Sequence, residues 1–134
     1  MQNRAIRVLV INHHEHIHFS LIFFLEVTGE FELLGEAPDA EAGLILCAHL
    51  QPDVVIVAVG QADTDGLNLI GQITACAPTP GIILIGSDIT EADRAALIQA
   101  GVSHYLTKHA SVVELEAALH AVAPPPLAEP CGWP

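Results

Sequence analysis

Residues 54–59 read Val-Val-Ile-Val-Ala-Val, a short unbroken apolar run made mostly of β-branched residues. A run of this length and composition predicts a buried β-strand. Similar short runs occur at Val8–Ile11, Phe31–Leu34, Ile82–Ile85 and His104–Thr107. The sequence therefore predicts five strands.

Segments with the helical spacing of apolar residues separate and follow these strands. They are Ile17–Val27, Ala40–Leu50, Leu67–Cys76, Glu91–Ala100 and Val112–Val122. A strict alternation of strands and helices predicts a parallel sheet that is covered by helices on both faces. The sequence thus indicates an α/β fold, a doubly wound sandwich of five βα units.

Turn and capping residues agree with these helix positions. Asp65, followed by Gly66, is expected to cap the third helix, and Gly101 follows the fourth. The segment Ser111-Val-Val-Glu114 has the spacing of a capping box at the start of the fifth helix. The predicted helix ends are therefore supported by local chemistry as well as by periodicity.

Length and composition fit one globular domain. The chain has 134 residues, of which 51% are hydrophobic, and this is enough to build a core. After Val122 the sequence Ala-Pro-Pro-Pro-Leu-Ala-Glu-Pro favours an extended polyproline conformation. We expect a domain over residues 1–122 and a Pro-rich tail, or the start of a linker, over residues 123–134.

Composition also limits the location and the partners of the domain. No apolar run approaches the roughly 18 to 20 residues of a membrane-spanning helix, and no signal-peptide layout is present, so we expect a cytoplasmic protein without membrane contact. Cys47, Cys76 and Cys131 lack metal-binding spacing and are expected to be reduced thiols. The formal net charge of −12 would repel a phosphate backbone, so we expect no nucleic acid to bind through this domain.

Four stretches resemble landmarks of the receiver domains of response regulators, the CheY-like family of two-component signal transduction. They are Arg7-Val-Leu-Val-Ile-Asn-His-His14, Gln51-Pro-Asp-Val-Val-Ile-Val-Ala58, Asp65-Gly66-Leu67 and Ala100-Gly-Val-Ser-His-Tyr-Leu-Thr-Lys108. The segment Lys108-His-Ala-Ser111 is similar to the subfamily that often carries a C-terminal helix-turn-helix output domain. The resemblance implies a flavodoxin-like (βα)5 fold with strand order 2-1-3-4-5, and a role in signal transduction and transcription regulation.

The same resemblance implies where a phosphorylation site would lie. Receiver domains place a magnesium-binding pair of acids after the first strand, a phosphoacceptor aspartate at the end of the third, a Thr or Ser at the end of the fourth and a Lys at the end of the fifth. The corresponding residues of this chain are Asn12, His13, Ala58, Gly86 and Lys108. Of these, Lys108 alone has the residue type that the family pattern requires.

These departures remove most of the chemistry of the site. A methyl group at Ala58 has no nucleophilic oxygen, and Asp63 and Asp65 follow too far along the chain to replace it. An amide and an imidazole are poor magnesium ligands, so magnesium binding is expected to be lost and no cofactor is expected. Ser87, next to Gly86, could partly replace the missing hydroxyl. Because these site residues are missing, we expect an atypical, phosphorylation-independent pseudo-receiver. No catalytic triad or phosphate loop is visible, so we do not expect an enzyme.

The histidine-rich segment His13-His-Glu-His-Ile-His18 supports an alternative function, a ligand- or metal-sensing domain that uses the vacated pocket. His14 and His18 have the i,i+4 spacing of metal-binding imidazoles on a helix, and His13 precedes them. His104 and His109 are expected near the same edge of the sheet. We prefer the interpretation that these histidines are exposed loop and helix residues, because no cysteine and no H-E-x-x-H pattern accompanies them.

The first helix indicates a protein contact. Phe19, Ile22 and Phe23 are expected to face outward, where helices are normally polar, and with Tyr105 they form the candidate interaction surface. A rotated helix that buries most of these side chains is the alternative, because the segment is apolar nearly all round. The core side is expected to consist of Ile17, Leu21, Phe24 and Leu25. The leading hypothesis is therefore a module that binds a protein partner or a second copy of itself.

Overall fold

The structure is a computed structural model, which describes residues 5–13, 19–27, 29–59, 64–75, 80–86, 90–107 and 111–122. The predicted alternation of strands and helices is present throughout these residues. The strands are β1 (Ile6–His13), β2 (Phe31–Ala37), β3 (Val54–Val59), β4 (Gly81–Gly86) and β5 (His104–Thr107). The helices are α1 (Phe19–Val27), α2 (Ala40–Leu50), α3 (Thr64–Thr74), α4 (Glu91–Ala100) and α5 (Val112–Val122).

The five strands form one parallel sheet in the order β2-β1-β3-β4-β5, as the family resemblance implied. All pairs keep a regular register except β1 and β2, where the pairing shifts between Val8 and Leu9. The carboxyl ends of β1, β3, β4 and β5 consequently lie side by side at one edge of the sheet. In doubly wound folds this edge is where ligands bind.

The sheet separates two apolar layers, because successive side chains of a strand point to opposite faces. One layer packs the sheet against α1 and α5 and includes Ile56, Leu25 and Leu115. The other packs it against α2, α3 and α4 and includes Val57. All six residues of β3 are buried, since this central strand is covered on both faces.

Capping side chains determine where several helices begin. The predicted capping box of α5 is present: the amide of Glu114 donates to Ser111 Oγ at 3.2 Å, and the amide of Ser111 donates to Glu114 Oε1 at 2.9 Å. A second box, formed by Thr90 and Asp93, starts α4. The expectation for Asp65 was wrong, because α3 begins at Thr64 and Asp65 lies within its first turn.

Among the described residues no helix combines the length and the apolar character needed to cross a membrane. Cys47 is buried in α2. Cys76, Cys131 and the Pro-rich segment 123–134 lie outside the described residues, so the predicted tail or linker stays a prediction.

Candidate functional site

The strand register places the predicted site residues in two adjacent rows at the carboxyl edge of the sheet. In the first row Asn12 pairs with Ala58, Ala58 with Ile85, and Ile85 with Leu106. The second row follows one residue later along each strand and consists of His13, Val59, Gly86 and Thr107. Neighbouring strands lie about 4.8 Å apart. The structure therefore brings together four of the five predicted residues, and Lys108, which directly follows Thr107, lies outside the described residues.

Ala58 occupies the centre of the first row and has no exposed surface. On the β4 side of the row, Ile85 and then Leu106 belong to the apolar layer beneath α1 and α5, and both are at least 90% buried. The position that would present a carboxylate in a phosphorylated receiver domain thus presents a methyl group, with the amide of Asn12 on one neighbouring strand and the apolar side chain of Ile85 on the other. Nothing at this position can act as a nucleophile.

Asn12 is the buried polar residue of this edge, with 4% of its surface exposed. Its Nδ2 donates a hydrogen bond to Oε2 of Glu36 at 3.1 Å. A buried amide is costly unless it is hydrogen-bonded, so this contact explains how an amide is tolerated between two apolar layers. Glu36, near the end of β2, brings a carboxylate to the site that the sequence did not identify.

The contact with Glu36 was missed because the two residues are separated by 24 positions in the sequence and lie on neighbouring strands. The signal that could have found it is the placement of Glu36 one residue before the end of β2, beside the end of β1. An acid at the carboxyl end of a strand adjacent to the site strand is a candidate for contact with it.

The fourth predicted position, Gly86, is buried and ends β4. With no side chain it supplies no hydroxyl group to the edge. Ser87, the possible replacement, lies outside the described residues. Thr107 pairs with Gly86 across the sheet and is exposed, so a hydroxyl is present one strand away from the predicted position.

The predicted histidine cluster falls mostly on residues that are not described. The backbone of His13 ends β1, but its side chain, together with His14, His18 and His109, lies outside the described residues, so this metal site stays a prediction. The expectation for His104 was wrong. It begins β5 and pairs with Ile83. It therefore lies three residues before Thr107 of the second row, a distance of about 10 Å along the strand.

The outer face of α1 differs in part from the expectation. Phe23 is exposed over 53% of its surface, as expected, and Val27, one turn later, over 59%. Ile22 was expected to face outward but is partly buried and packs against the core, beside the fully buried Leu25. Phe19 begins α1, and its side chain lies outside the described residues. The outward apolar stripe of α1 therefore consists of Phe23 and Val27.

Tyr105, the remaining member of the predicted interaction surface, lies on the other side of the sheet from α1. It is partly buried against the apolar layer of α2, α3 and α4. The guanidinium carbon of Arg94 lies 5.6 Å from the centre of its ring, at a distance typical of a cation–π contact. Tyr105 and Phe23 therefore do not share one surface.

Comparison with known proteins gives consistent matches over most of the chain. The family model "Response regulator receiver domain" matches residues 8–120. The transcriptional regulatory protein LiaR of Bacillus subtilis is 34% identical over 118 residues, which are 88% of this chain and 56% of LiaR. The response regulator protein VraR of Staphylococcus aureus is 24% identical over 115 residues, covering 86% of this chain and 55% of VraR. The chain thus spans about half the length of these relatives.

Solved structures agree with the architecture. The signal receiver domain of NarL from Mycobacterium tuberculosis superposes with a TM-score of 0.76 at 24% sequence identity, covering 88% of this chain and 96% of that chain. At this level of identity the likeness concerns the fold.

Proposed function

The chain belongs to the response regulator receiver domain family, and we propose that within this family it transmits a signal without forming an aspartyl phosphate. The observation that carries the proposal is the fully buried methyl group of Ala58 at the centre of the site. An acyl phosphate forms when a carboxylate oxygen attacks a phosphoryl group, and a methyl group has no lone pair for this attack. No acyl phosphate can form at the family's position.

The residues around Ala58 also weaken the binding of magnesium, on which phosphorylation in the family depends. Magnesium prefers an octahedron of oxygen ligands. Asn12 supplies a neutral amide where the family has an acid, and its Nδ2 is bonded to the Glu36 carboxylate. Gly86 supplies no hydroxyl. We therefore expect that magnesium does not bind at this edge.

We propose that the signal is carried by a protein contact through the outer face of α1, with a second copy of the chain as the partner. Regulators of this kind commonly dimerise. Phe23 and Val27 lie one turn apart and are both more than half exposed, so they form an exposed apolar stripe on the outer face of α1. Two copies with a formal net charge of −12 each repel one another, which favours an apolar contact over a charged one.

The relation to LiaR, which is named a transcriptional regulatory protein, supports a role in transcription regulation. Related regulators bind DNA through an output domain, and this chain spans 56% of LiaR. The acidic receiver-like domain is unsuited to a phosphate backbone. We therefore assign DNA binding, where it occurs, to a partner or to a segment outside residues 1–122, and we assign regulation to this domain.

The test of the proposal is treatment with a phosphoryl donor. The full chain is incubated with acetyl phosphate and magnesium and its intact mass is measured, while beryllofluoride with magnesium is followed by amide NMR. The mass and the spectra should stay unchanged, because no acceptor oxygen is present at Ala58. A receiver domain that has all the acids is treated in parallel as the positive control. An acid-labile adduct of one phosphoryl group on this chain would refute the proposal.

A further inference from the structure

Three side chains with metal-binding atoms meet on the surface, away from the carboxyl edge of the sheet. Nε2 of His120 lies 3.2 Å from Oε1 of Glu30 and 4.0 Å from Oε2 of Glu116. The three ligand atoms all lie within 4.8 Å of one another. Within the described ranges this cluster of Glu30, Glu116 and His120 could hold a metal ion, and without one the contact between His120 and Glu30 is a hydrogen bond.

The three side chains come from two elements of the fold, helix α5 and the turn before β2. Glu116 and His120 are one turn apart on α5, so they lie on the same face of the helix. Glu30 lies in the turn before β2, where Gly29 takes a positive φ of 79° that other residues rarely adopt. The carbonyl oxygen of Glu30 accepts a hydrogen bond of 3.0 Å from the amide of Ile6, which fixes the turn against β1.

The imidazole ring is also oriented by packing. The ring of His120 lies beside that of Phe31, with 5.7 Å between their centres and 51° between their planes, and Phe31 is buried in the core. His120 keeps about half of its side-chain surface exposed, so an ion and its water ligands can reach Nε2. The site is thus open to solvent, and the His120 ring is supported on one side by Phe31.

We propose that Glu30, Glu116 and His120 bind a divalent transition-metal ion of the zinc class, with water completing the coordination. In a tetrahedral zinc site with bonds of about 2.0 to 2.1 Å, neighbouring ligand atoms are about 3.3 Å apart. The distances of 3.2 Å and 4.0 Å already approach this value. The imidazole selects zinc, nickel or copper over magnesium and calcium, and the two carboxylates together with the net charge of −12 attract a cation.

The bound ion would join two parts of the domain that are far apart in sequence. His120 lies in the last turn of α5, which ends at Val122, and Glu30 is 90 residues earlier. An ion shared by these two residues fixes the last turn of α5 against the start of β2. The site is independent of the proposed absence of phosphorylation, because none of its residues lies at the carboxyl edge of the sheet.

The proposal is tested by calorimetric titration of the full chain with zinc chloride, in parallel with His120→Ala and Glu116→Gln. The wild type should bind one equivalent, and each variant should bind zinc at least about 10-fold more weakly, because it has lost one of three protein ligands. His49→Ala is the matched control, because His49 is an exposed histidine on another helix, with Nδ1 2.9 Å from the carbonyl oxygen of Ile45. Its affinity for zinc should equal that of the wild type.

A second variant separates this site from the histidine-rich segment. The double change His14→Ala and His18→Ala should leave the zinc affinity unchanged, and zinc should raise the Tm of this variant but not that of His120→Ala. His120 and Glu116 keep 52% and 41% of their side-chain surface exposed, so His120→Ala and Glu116→Gln should both remain folded in the absence of zinc. Absence of wild-type binding below millimolar zinc, unchanged binding in His120→Ala, or loss of binding in the double variant would each overturn the proposal.

Discussion

In the interior of the sheet the residues of β3 are apolar and buried along the whole strand, whereas the carboxyl edge of the same sheet carries an amide at Asn12, a methyl group at Ala58 and no side chain at Gly86. The interior preserves what a receiver domain needs in order to fold. The edge lacks the acids and the hydroxyl group of the family's phosphorylation site, and we propose that it does not accept a phosphoryl group. Packing and chemistry are therefore separate constraints on this chain, and family membership follows the packing.

The largest effect is expected when the acids and the hydroxyl group of the family's site are introduced at the carboxyl edge while the interior of the sheet is left unchanged. The four substitutions Asn12→Asp, His13→Asp, Ala58→Asp and Gly86→Thr together should give saturable magnesium binding, which we do not expect of the wild type, because the ion needs several oxygen ligands at once. Magnesium titration followed by amide NMR measures the effect.

Ala58→Asp alone is the control for the restored edge. It adds one carboxylate at a position with no exposed surface, and we expect no phosphoryl adduct from acetyl phosphate, because the metal ligands are still missing. Efficient labelling of this single variant would mean that the edge retains more of the phosphorylation chemistry than Asn12, His13 and Gly86 indicate.

The next largest effect concerns the interior itself. Ile56→Ala should lower the free energy of unfolding by about 2 to 5 kcal/mol, because Ile56 is fully buried in the layer beneath α1 and α5 and its removal leaves a cavity. Ile98→Ala is the matched control, since Ile98 is 57% exposed on α4, and it should change the stability by no more than about 0.5 kcal/mol. Urea unfolding of both variants gives the two values. Equal losses would contradict the assignment of core and surface.

The contrast between interior and edge also explains what could be predicted from the sequence. The bounds of β3 and β5, and of α2, α4 and α5, agree with the apolar runs and periodicities, because burial on one or both faces leaves a pattern in the sequence. The chain order of elements followed for the same reason, whereas the site positions Asn12, Ala58 and Gly86 followed from the resemblance to receiver domains. β1 extends beyond Val8–Ile11 to Ile6–His13, where pairing with neighbouring strands continues past the apolar run.

What could not be predicted depends on contacts between distant segments or on a missing pattern. Glu36 meets Asn12 across two strands, and Glu30 meets His120 across 90 residues. Glu116 and His120 were not identified from the sequence, because an i,i+4 pair on a helix does not reveal its third member, Glu30. The segment Phe19–Val27 is apolar nearly all round, so its periodicity does not single out a face, and Ile22 was placed on the wrong one.

The smallest effect tests the outer face of α1, which is the one apolar surface that the proposal uses for signalling. Burying a large apolar side chain contributes roughly 1.5 to 3 kcal/mol, so Phe23→Glu should weaken a dimer by about 10- to 100-fold. Sedimentation at 0.15 M salt, where charges are screened beyond about 8 Å, measures the dissociation constant, and a thermal melt measures the stability. Because Phe23 is 53% exposed, the melt should change little.

Ile45→Glu is the control for Phe23→Glu, because Ile45 is 54% exposed on α2, on the opposite face of the sheet, and the substitution adds the same negative charge. If general repulsion between acidic copies weakened the dimer, both variants would dissociate alike. If the contact is made by α1, Phe23→Glu alone should dissociate. A wild type that sediments as a monomer, together with a Phe23→Glu variant that unfolds, would show that Phe23 serves the fold and not the contact, and the signal would then have to leave the domain through another surface.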